Sequence, residues 1–300
     1  MRRTALITLA LLIAGIASAQ QEAQYSLFFM NDYVINPAVA GMRKQMEVRS
    51  VNRYQWEGIT DAPRTYTLSF TTPLSDGKMG LGAYVYTDIV GPTRRIGAQG
   101  SYAYRIPFNE STTLGFGVSV GMMQYAIDGD KIQLAESDDP ALGNSLQSVN
   151  VIDAKMGLML KGKNYHVGFS IPQLSQSNLN IYPSTESGSS ALVSHFLFSA
   201  GYDYELGDDF IIEPNVLVKM VTPAPVKVDA TVRVMYREMV WLGGGFRNND
   251  AFTAFLGVRW NKKIHIAYAH DFGTTDIARY ASGTHEIMLG IDLPDPRAAK

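Results

Sequence analysis

Cysteine is absent from the 300 residues, which excludes disulfides and thiolate-held metal centres but does not discriminate between compartments. Long apolar runs are also missing after the N-terminus, so a chain of this kind that enters a membrane must do so as a closed barrel. Charge of one sign is not in excess either. The formal net charge is −2, which gives no basis for nucleic-acid binding. What the chain does have is sheet chemistry: 16 Tyr, 13 Phe, 3 Trp and 27 Gly favour strands over helices. A hydrophobic content of 46% suits a soluble β-protein and equally a membrane barrel, where only every second residue meets lipid.

The first nineteen residues read as an export signal. Arg2 and Arg3 form a charged start, Ala5 to Ile16 an apolar run, and Ala17-Ser18-Ala19 a small-residue cleavage site before Gln20. The twin arginine lacks the rest of that pathway's motif, so the reading is general export. Loss of the two arginines takes the mature charge from −2 to −4. Residues 20–44 form a lead-in or plug segment, expected at the periplasmic side. Tyr25, Leu27, Phe28 and Phe29 cluster in it, and Asn36-Pro37 and Gly41 mark a shaped turn.

From residue 45 to 293 one pattern repeats: about ten residues alternating between apolar and small or polar, then a turn. In 251–260, Phe252, Ala254, Leu256, Val258 and Trp260 face one way, with Thr253, Gly257 and Arg259 opposite. Fourteen strands are predicted, at 45–54, 64–73, 78–88, 93–106, 111–126, 149–161, 164–171, 191–205, 209–221, 226–236, 239–248, 251–261, 263–271 and 283–293. Short connections follow even-numbered strands. The long ones, 127–148, 172–190 and 273–282, follow odd-numbered strands. That asymmetry, the strand lengths and the aromatic residues toward strand ends (Tyr54, Tyr104, Tyr204, Tyr236, Trp260) favour an outer-membrane barrel over a soluble sandwich. The fold class is therefore all-β, an antiparallel transmembrane barrel of about fourteen strands, with a tail at 294–300 and both termini expected on the periplasmic side.

Catalytic constellations are not evident. His166, His195, His265, His270 and His285 are scattered, and His265 and His270 face opposite sides of one strand, so no metal site is expected. His195 with Ser194 or Ser199 has nothing to mark it beyond ordinary lumen polarity, and Gly243-Gly244-Gly245 lies inside a strand. No enzyme activity and no cofactor are expected. Asp128, Asp130, Glu136, Asp138 and Asp139 share one outer loop, but their spacing matches no EF-hand, and a solvated acidic loop is the reading favoured over a calcium site. Inward-facing charges have both signs: Arg95, Arg105, Lys155, Lys219, Lys227, Arg233 and Arg259 against Asp153, Asp203, Glu213 and Asp229. They fit either an open channel or a narrow barrel filled by ion pairs.

Two motifs are more specific than any barrel requires. The first is Ile35-Asn36-Pro37-Ala38-Val39-Ala40-Gly41; the second is Arg53-Tyr54-Gln55-Trp56-Glu57-Gly58-Ile59 followed by Ala62-Pro63-Arg64-Thr65. In this order and spacing the chain resembles the PorP/SprF family of Bacteroidetes type IX secretion membrane proteins over essentially its whole mature length. The resemblance implies an outer-membrane barrel, without catalysis, that serves a protein secretion and gliding apparatus. Its implied partners are other secretion components, secreted surface proteins such as adhesins, and outer-membrane lipid. The candidate partner-contact residues are Asn36, Pro37, Gly41, Arg53, Gln55, Trp56, Gly58 and Pro63. Structural roles for the same residues are the competing reading: Trp56 as an interfacial anchor, Gly58 as a turn, Pro63 as a strand start. The chain departs from typical outer-membrane barrels in ending without a terminal aromatic after Ile291-Asp292-Leu293-Pro294. The alternative function is a porin for small solutes.

Overall fold

The computed structural model describes residues 22–74, 77–132, 146–179 and 191–294. The predicted signal, residues 295–300, and Glu136, Asp138 and Asp139 of the acidic stretch lie outside the described residues.

Alternation of inward and outward side chains generates the sheet. Its strands are β1 (Gln45–Tyr54), β2 (Arg64–Leu74), β3 (Met79–Val90), β4 (Thr93–Pro107), β5 (Thr113–Asp128), β6 (Leu146–Lys161) and β7 (Tyr165–Ile171). Then come β8 (Phe196–Tyr202 continued by Tyr204–Leu206), β9 (Phe210–Met220), β10 (Lys227–Tyr236), β11 (Val240–Arg247), β12 (Ala251–Trp260), β13 (Ile264–Gly273) and β14 (Thr284–Pro294). Each pairs antiparallel with its sequence neighbours, and β1 pairs with β14 from Gln45 opposite Pro294 to Tyr54 opposite His285. The ring is closed at fourteen strands. Closure leaves no edge whose backbone groups would be stranded in hydrocarbon.

Two details differ from the sequence expectation. The strand predicted at 191–205 begins only at Phe196; residues 191–195 fold back instead, with Ala191 bridged to Asn178 and His195 buried. The β8 ladder also opens between Tyr202 and Tyr204, where it faces Pro214 of β9, a residue with no N–H to give.

Side chains divide as the pleat demands. In β9, Glu213, Asn215, Leu217 and Lys219 are buried inside, while Phe210 and Pro214 are exposed outside. In β2, Thr65, Thr67, Ser69 and Thr71 point in, and Leu68 and Phe70 point out. Tyr104, Tyr204, Tyr236 and Trp260 are exposed outward near the short-turn ends of their strands, as an interfacial aromatic belt requires. The short turns lie on one rim, and the chain leaves the sheet after Asp128, Ile171 and Gly273 at the other.

Two predictions follow from this wall. Val216→Arg puts a charge against lipid near mid-strand and is expected to cost about 2–4 kcal/mol and impair assembly. Asn215→Arg, pointing inward, is expected to be far milder; heat-modifiable gel mobility reads both, and equal damage would contradict the face assignment. In a chain without native cysteine, Asp130→Cys should label from outside intact cells while Lys163→Cys stays silent, and the reverse pattern would invert the topology.

Candidate functional site

The lumen is occupied by the chain's own lead-in. Glu22 lines a small cavity with Asp88, Arg95 and Asp153, toward the long-loop half. Ser26 and Leu27 lie beside Arg53, near the long-loop end of β1. One helical turn at Asp32–Ile35 and a 3-10 turn at Pro37–Val39 then carry the chain across the lumen, and Gly41 to Lys44 deliver it to β1 at the short-turn rim. The lead-in or plug segment, expected at the periplasmic side, threads the barrel from rim to rim, with Leu27, Phe28 and Tyr33 buried. The reason is apolar surface on the inner wall: Val51, Trp241, Phe255, Ala267 and Met288 form one cluster with Leu27 and Met30, and Leu197 and Leu217 take Phe28.

Polar contacts pin this plug on all sides. Glu286 accepts the backbone N–H groups of both Ser26 and Leu27 at 2.8 Å. Arg53, only 1% exposed, bonds Glu286 at 2.9 Å, Asp271 at 2.7 Å and the Ser26 hydroxyl at 2.8 Å. Asp271 also accepts from Thr253 at 2.8 Å and faces Arg247 at 3.3 Å. Arg247 in turn holds Asp229, which Lys219 approaches at 2.6 Å. Each charge in this chain of contacts thus meets an opposite one, the condition for keeping ions away from water. Elsewhere, the phenol of Tyr25 meets Thr67 at 2.8 Å and that of Tyr33 meets Ser101 at 2.9 Å. Burial pushes the Tyr33 phenol up to about 12, so it stays protonated. The last carbonyls of the helical turn are capped from the wall: Lys155 donates to Val34 O at 2.7 Å and Ser170 to Ile35 O at 2.8 Å.

The first motif is the plug's docking foot. The Asn36 side chain accepts from Ala38 N–H at 3.0 Å and donates to Leu158 O on β6 at 2.8 Å. Pro37 opens the 3-10 turn, where its missing N–H costs nothing. Ala38 and Ala40 are fully buried, and a Cβ on Gly117 or Gly157 of the facing wall would collide with Ala38 or Asn36. Gly41 turns the chain into β1 with φ +61°, and any side chain there would strike the Thr72 carbonyl. At the rim, Arg105 bonds Ala40 O at 2.8 Å, and Arg43 bridges Asp32 at 3.3 Å and Glu47 at 3.0 Å. Asp32 and Glu47 hold the Arg43 guanidinium above its usual range.

The second motif divides. Arg53 belongs to the plug lock. Gln55, Trp56 and Gly58 sit on the long-loop rim in the β1–β2 connection, and buried Pro63 immediately precedes β2. Gln55 N–H bonds Pro63 O at 2.9 Å, Trp56 N–H bonds the Thr284 hydroxyl at 3.1 Å, and Glu57 N–H bonds Gly283 O at 2.8 Å. Trp56 has φ +50° and Gly58 φ +99°. The motif thus staples two outer connections together, and Trp56 lies on the rim loop rather than on the lipid-facing wall. Asn36 through Gly41 and Arg53 converge on the plug; Gln55, Trp56, Gly58 and Pro63 gather at the rim. Ser26, Asp271, Arg247 and Glu286 are the functional residues that sequence reasoning missed. For Arg247, Asp271 and Glu286 the one signal is charge on inward strand positions; Ser26 carries none.

The charges foreseen in the lumen are mostly paired. Arg95 holds Asp88 at 2.9 Å, Arg233 holds Glu213, and Arg259 lies 3.6 Å from Asp292. Beneath the plug a cavity of about 200 Å³ remains, lined by Asp32, Arg43, Lys161, His166, Asp203 and Glu213 among others. Among the described residues no group of three or more His, Asp or Glu could hold a metal ion.

Residues 17–291 match the family described as type IX secretion system membrane protein PorP/SprF. The chain belongs to this family. PorP/SprF membership and the barrel place the protein in the outer membrane, among the components of that secretion system. No curated protein sequence matches it. Among solved structures, the CymD monoaromatic hydrocarbon channel is 13% identical with a TM-score of 0.50, covering 87% of this chain and 91% of that one. Acinetobacter baumannii Omp33 is 10% identical with a TM-score of 0.47, over 85% and 100%. A Pseudomonas aeruginosa FadL homologue is 11% identical with a TM-score of 0.46, over 86% and 92%. These likenesses are of fold alone.

Arg53→Met leaves Glu286 without a cation beside the PorP/SprF plug and Asp271 with Arg247 as its remaining one. The change is expected to destabilise the locked state by about 3–5 kcal/mol. Limited proteolysis of residues 22–44 should accelerate accordingly, and Arg53→Met combined with Glu286→Gln should be milder than the sum of the two single changes.

Proposed function

We propose that the protein is a non-conducting, non-enzymatic component of the type IX machinery that assists export or anchoring of cell-surface proteins by binding other proteins at its rims. The supporting observation is the plug. A lumen filled by residues 22–44 and closed by buried ion pairs suits a barrel that serves as a rigid platform better than one that passes solutes. Two surfaces are left for partners. On the long-loop side these are the stapled connections carrying Gln55, Trp56 and Gly58, suited to secreted surface proteins. On the short-turn side it is the charged vestibule around Arg43, Lys161 and Asp203, suited to a periplasmic component. The aromatic residues of the lead-in are spent on the lumen wall, so docking falls to the rims.

The test pairs two measurements on the full chain. Reconstituted in planar bilayers, the intact protein is expected to carry little current, while a variant lacking residues 22–41 opens a large conductance. Tagged protein recovered from native outer membrane should bring secretion components with it, and Trp56→Ala with Gln55→Ala should reduce the surface-protein share of that catch. A steady large conductance from the intact chain, with no protein partners recovered, would favour the porin reading instead.

A further inference from the structure

Near the long-loop rim the outer face of the wall carries two imidazoles that a lipid-facing strand has no need of. On β13, His265, Ala267, Ala269 and Asp271 are buried on the inner side, and on β14 so are Thr284, Glu286 and Met288. The pleat therefore turns Tyr268, His270 and His285 outward. His270 is the fourth residue from the end of β13 and His285 the second of β14. Both are partly exposed, at the outer end of the wall where water reaches them.

Fifteen positions apart in the chain, the two histidines stand directly opposite each other in the ladder. Their ring centroids are 4.8 Å apart and their planes are inclined at 60°, so the rings meet edge to face rather than stacking. The phenol oxygen of Tyr268 lies 2.7 Å from His285 Nδ1. Gly283, at φ +115°, makes room for the pair, since a Cβ there would come within 2.5 Å of His270 Cε1. Small Ala254 flanks His270 on its other side and leaves the approach open. Among the described residues no carboxylate bonds either ring.

We propose that His270 and His285 together bind a divalent transition-metal ion, Zn²⁺ by chemistry and spacing. Zinc takes an imidazole nitrogen at about 2.0–2.1 Å, which puts each ring centre roughly 3.2 Å from the ion. Two such arms, set about 90–109° apart, hold the ring centres about 4.5–5.2 Å from each other. The spacing found here falls inside that interval. His285 Nδ1–H, donating to the Tyr268 oxygen, fixes the tautomer whose Nε2 offers a free lone pair, the part an outer-shell partner plays at zinc sites. Tyr268 is thus a positioning residue. Two protein ligands leave two tetrahedral positions for water or for a group brought from outside. Calcium and magnesium, which prefer oxygen, do not suit a pair of imidazoles. The site stands apart from the partner-binding reading of the rims and does not depend on it.

The test uses the full chain, purified without a histidine tag and titrated with ZnCl₂ by calorimetry. One ion per barrel is expected, with a dissociation constant in the micromolar range. His270→Gln and His285→Gln should each weaken binding by about a hundredfold, and Tyr268→Phe by about tenfold. His166→Gln, inside the vestibule, should leave it unchanged, and heat-modifiable mobility shows that each variant is folded. Cu²⁺ bound in place of zinc should show two imidazole nitrogens by pulsed EPR in the intact chain and one in either histidine variant. No heat with ZnCl₂, undiminished affinity when both histidines are replaced, or one imidazole nitrogen in the intact chain would each overturn the assignment. An unchanged affinity in Tyr268→Phe would overturn the phenol's part in it.

Discussion

The structure depends on how charge is neutralised inside a closed wall. Fourteen strands can satisfy one another's backbone groups, but that closure turns half of every strand inward. Here the inner half carries acids, bases and large apolar residues that a water-filled pore would not need. Arg53, with Glu286 and Asp271 on the two strands that follow it around the ring and Ser26 on the plug, resolves the conflict. The same few atoms neutralise the wall, cap the plug's free N–H groups and tie β1 to the end of the chain. A buried arginine of this kind adds less to stability than to uniqueness: with Arg53 removed, Glu286 has no other cation to meet.

The barrel was legible because a strand between two solvents must alternate, and the alternation survives local noise. Phe252 to Trp260 and Ile212 to Met220 announce their faces without help from tertiary structure. Strand ends were legible to within a few residues, except at 191–195, where polarity continues the pattern but the backbone leaves the sheet. The plug's position was much harder to read. Trp241 and Met288 point inward between outward-facing neighbours, and nothing in the local sequence distinguishes an inner wall that receives Leu27 and Phe29 from one that does not. Pairing of Arg53 with residues more than two hundred positions away is equally silent in a single sequence, since spacing carries no trace of which strands meet at the seam.

The two motifs illustrate the same division. Asn36-Pro37 and Gly41 could be read as turns from residue chemistry alone, and they are turns. What the chemistry could not say is that the turn sits against Gly117 and Gly157, whose missing side chains make room for it. In the second motif, Arg53 and Trp56 are three residues apart yet serve different ends: one fastens the lumen, the other the rim. The family shared by the whole chain is therefore marked by a short stretch in which the inside and the outside of the barrel are specified together.

The direction of the plug has a kinetic consequence. Ser26 is among the first residues of the lead-in, yet its carboxylate partner Glu286 is 260 residues later, on the last strand. Contacts of such span form late, because a long loop must be closed before they gain anything. The lead-in cannot be locked while the final strand is missing, whereas a ring completed without the lead-in still pairs Glu286 and Asp271 with Arg53. Plug seating therefore waits for ring closure, and an incomplete chain has no way to imitate it. The locked lead-in is thus a mark of completeness: only a barrel that has received its last strand offers Glu286 to hold it.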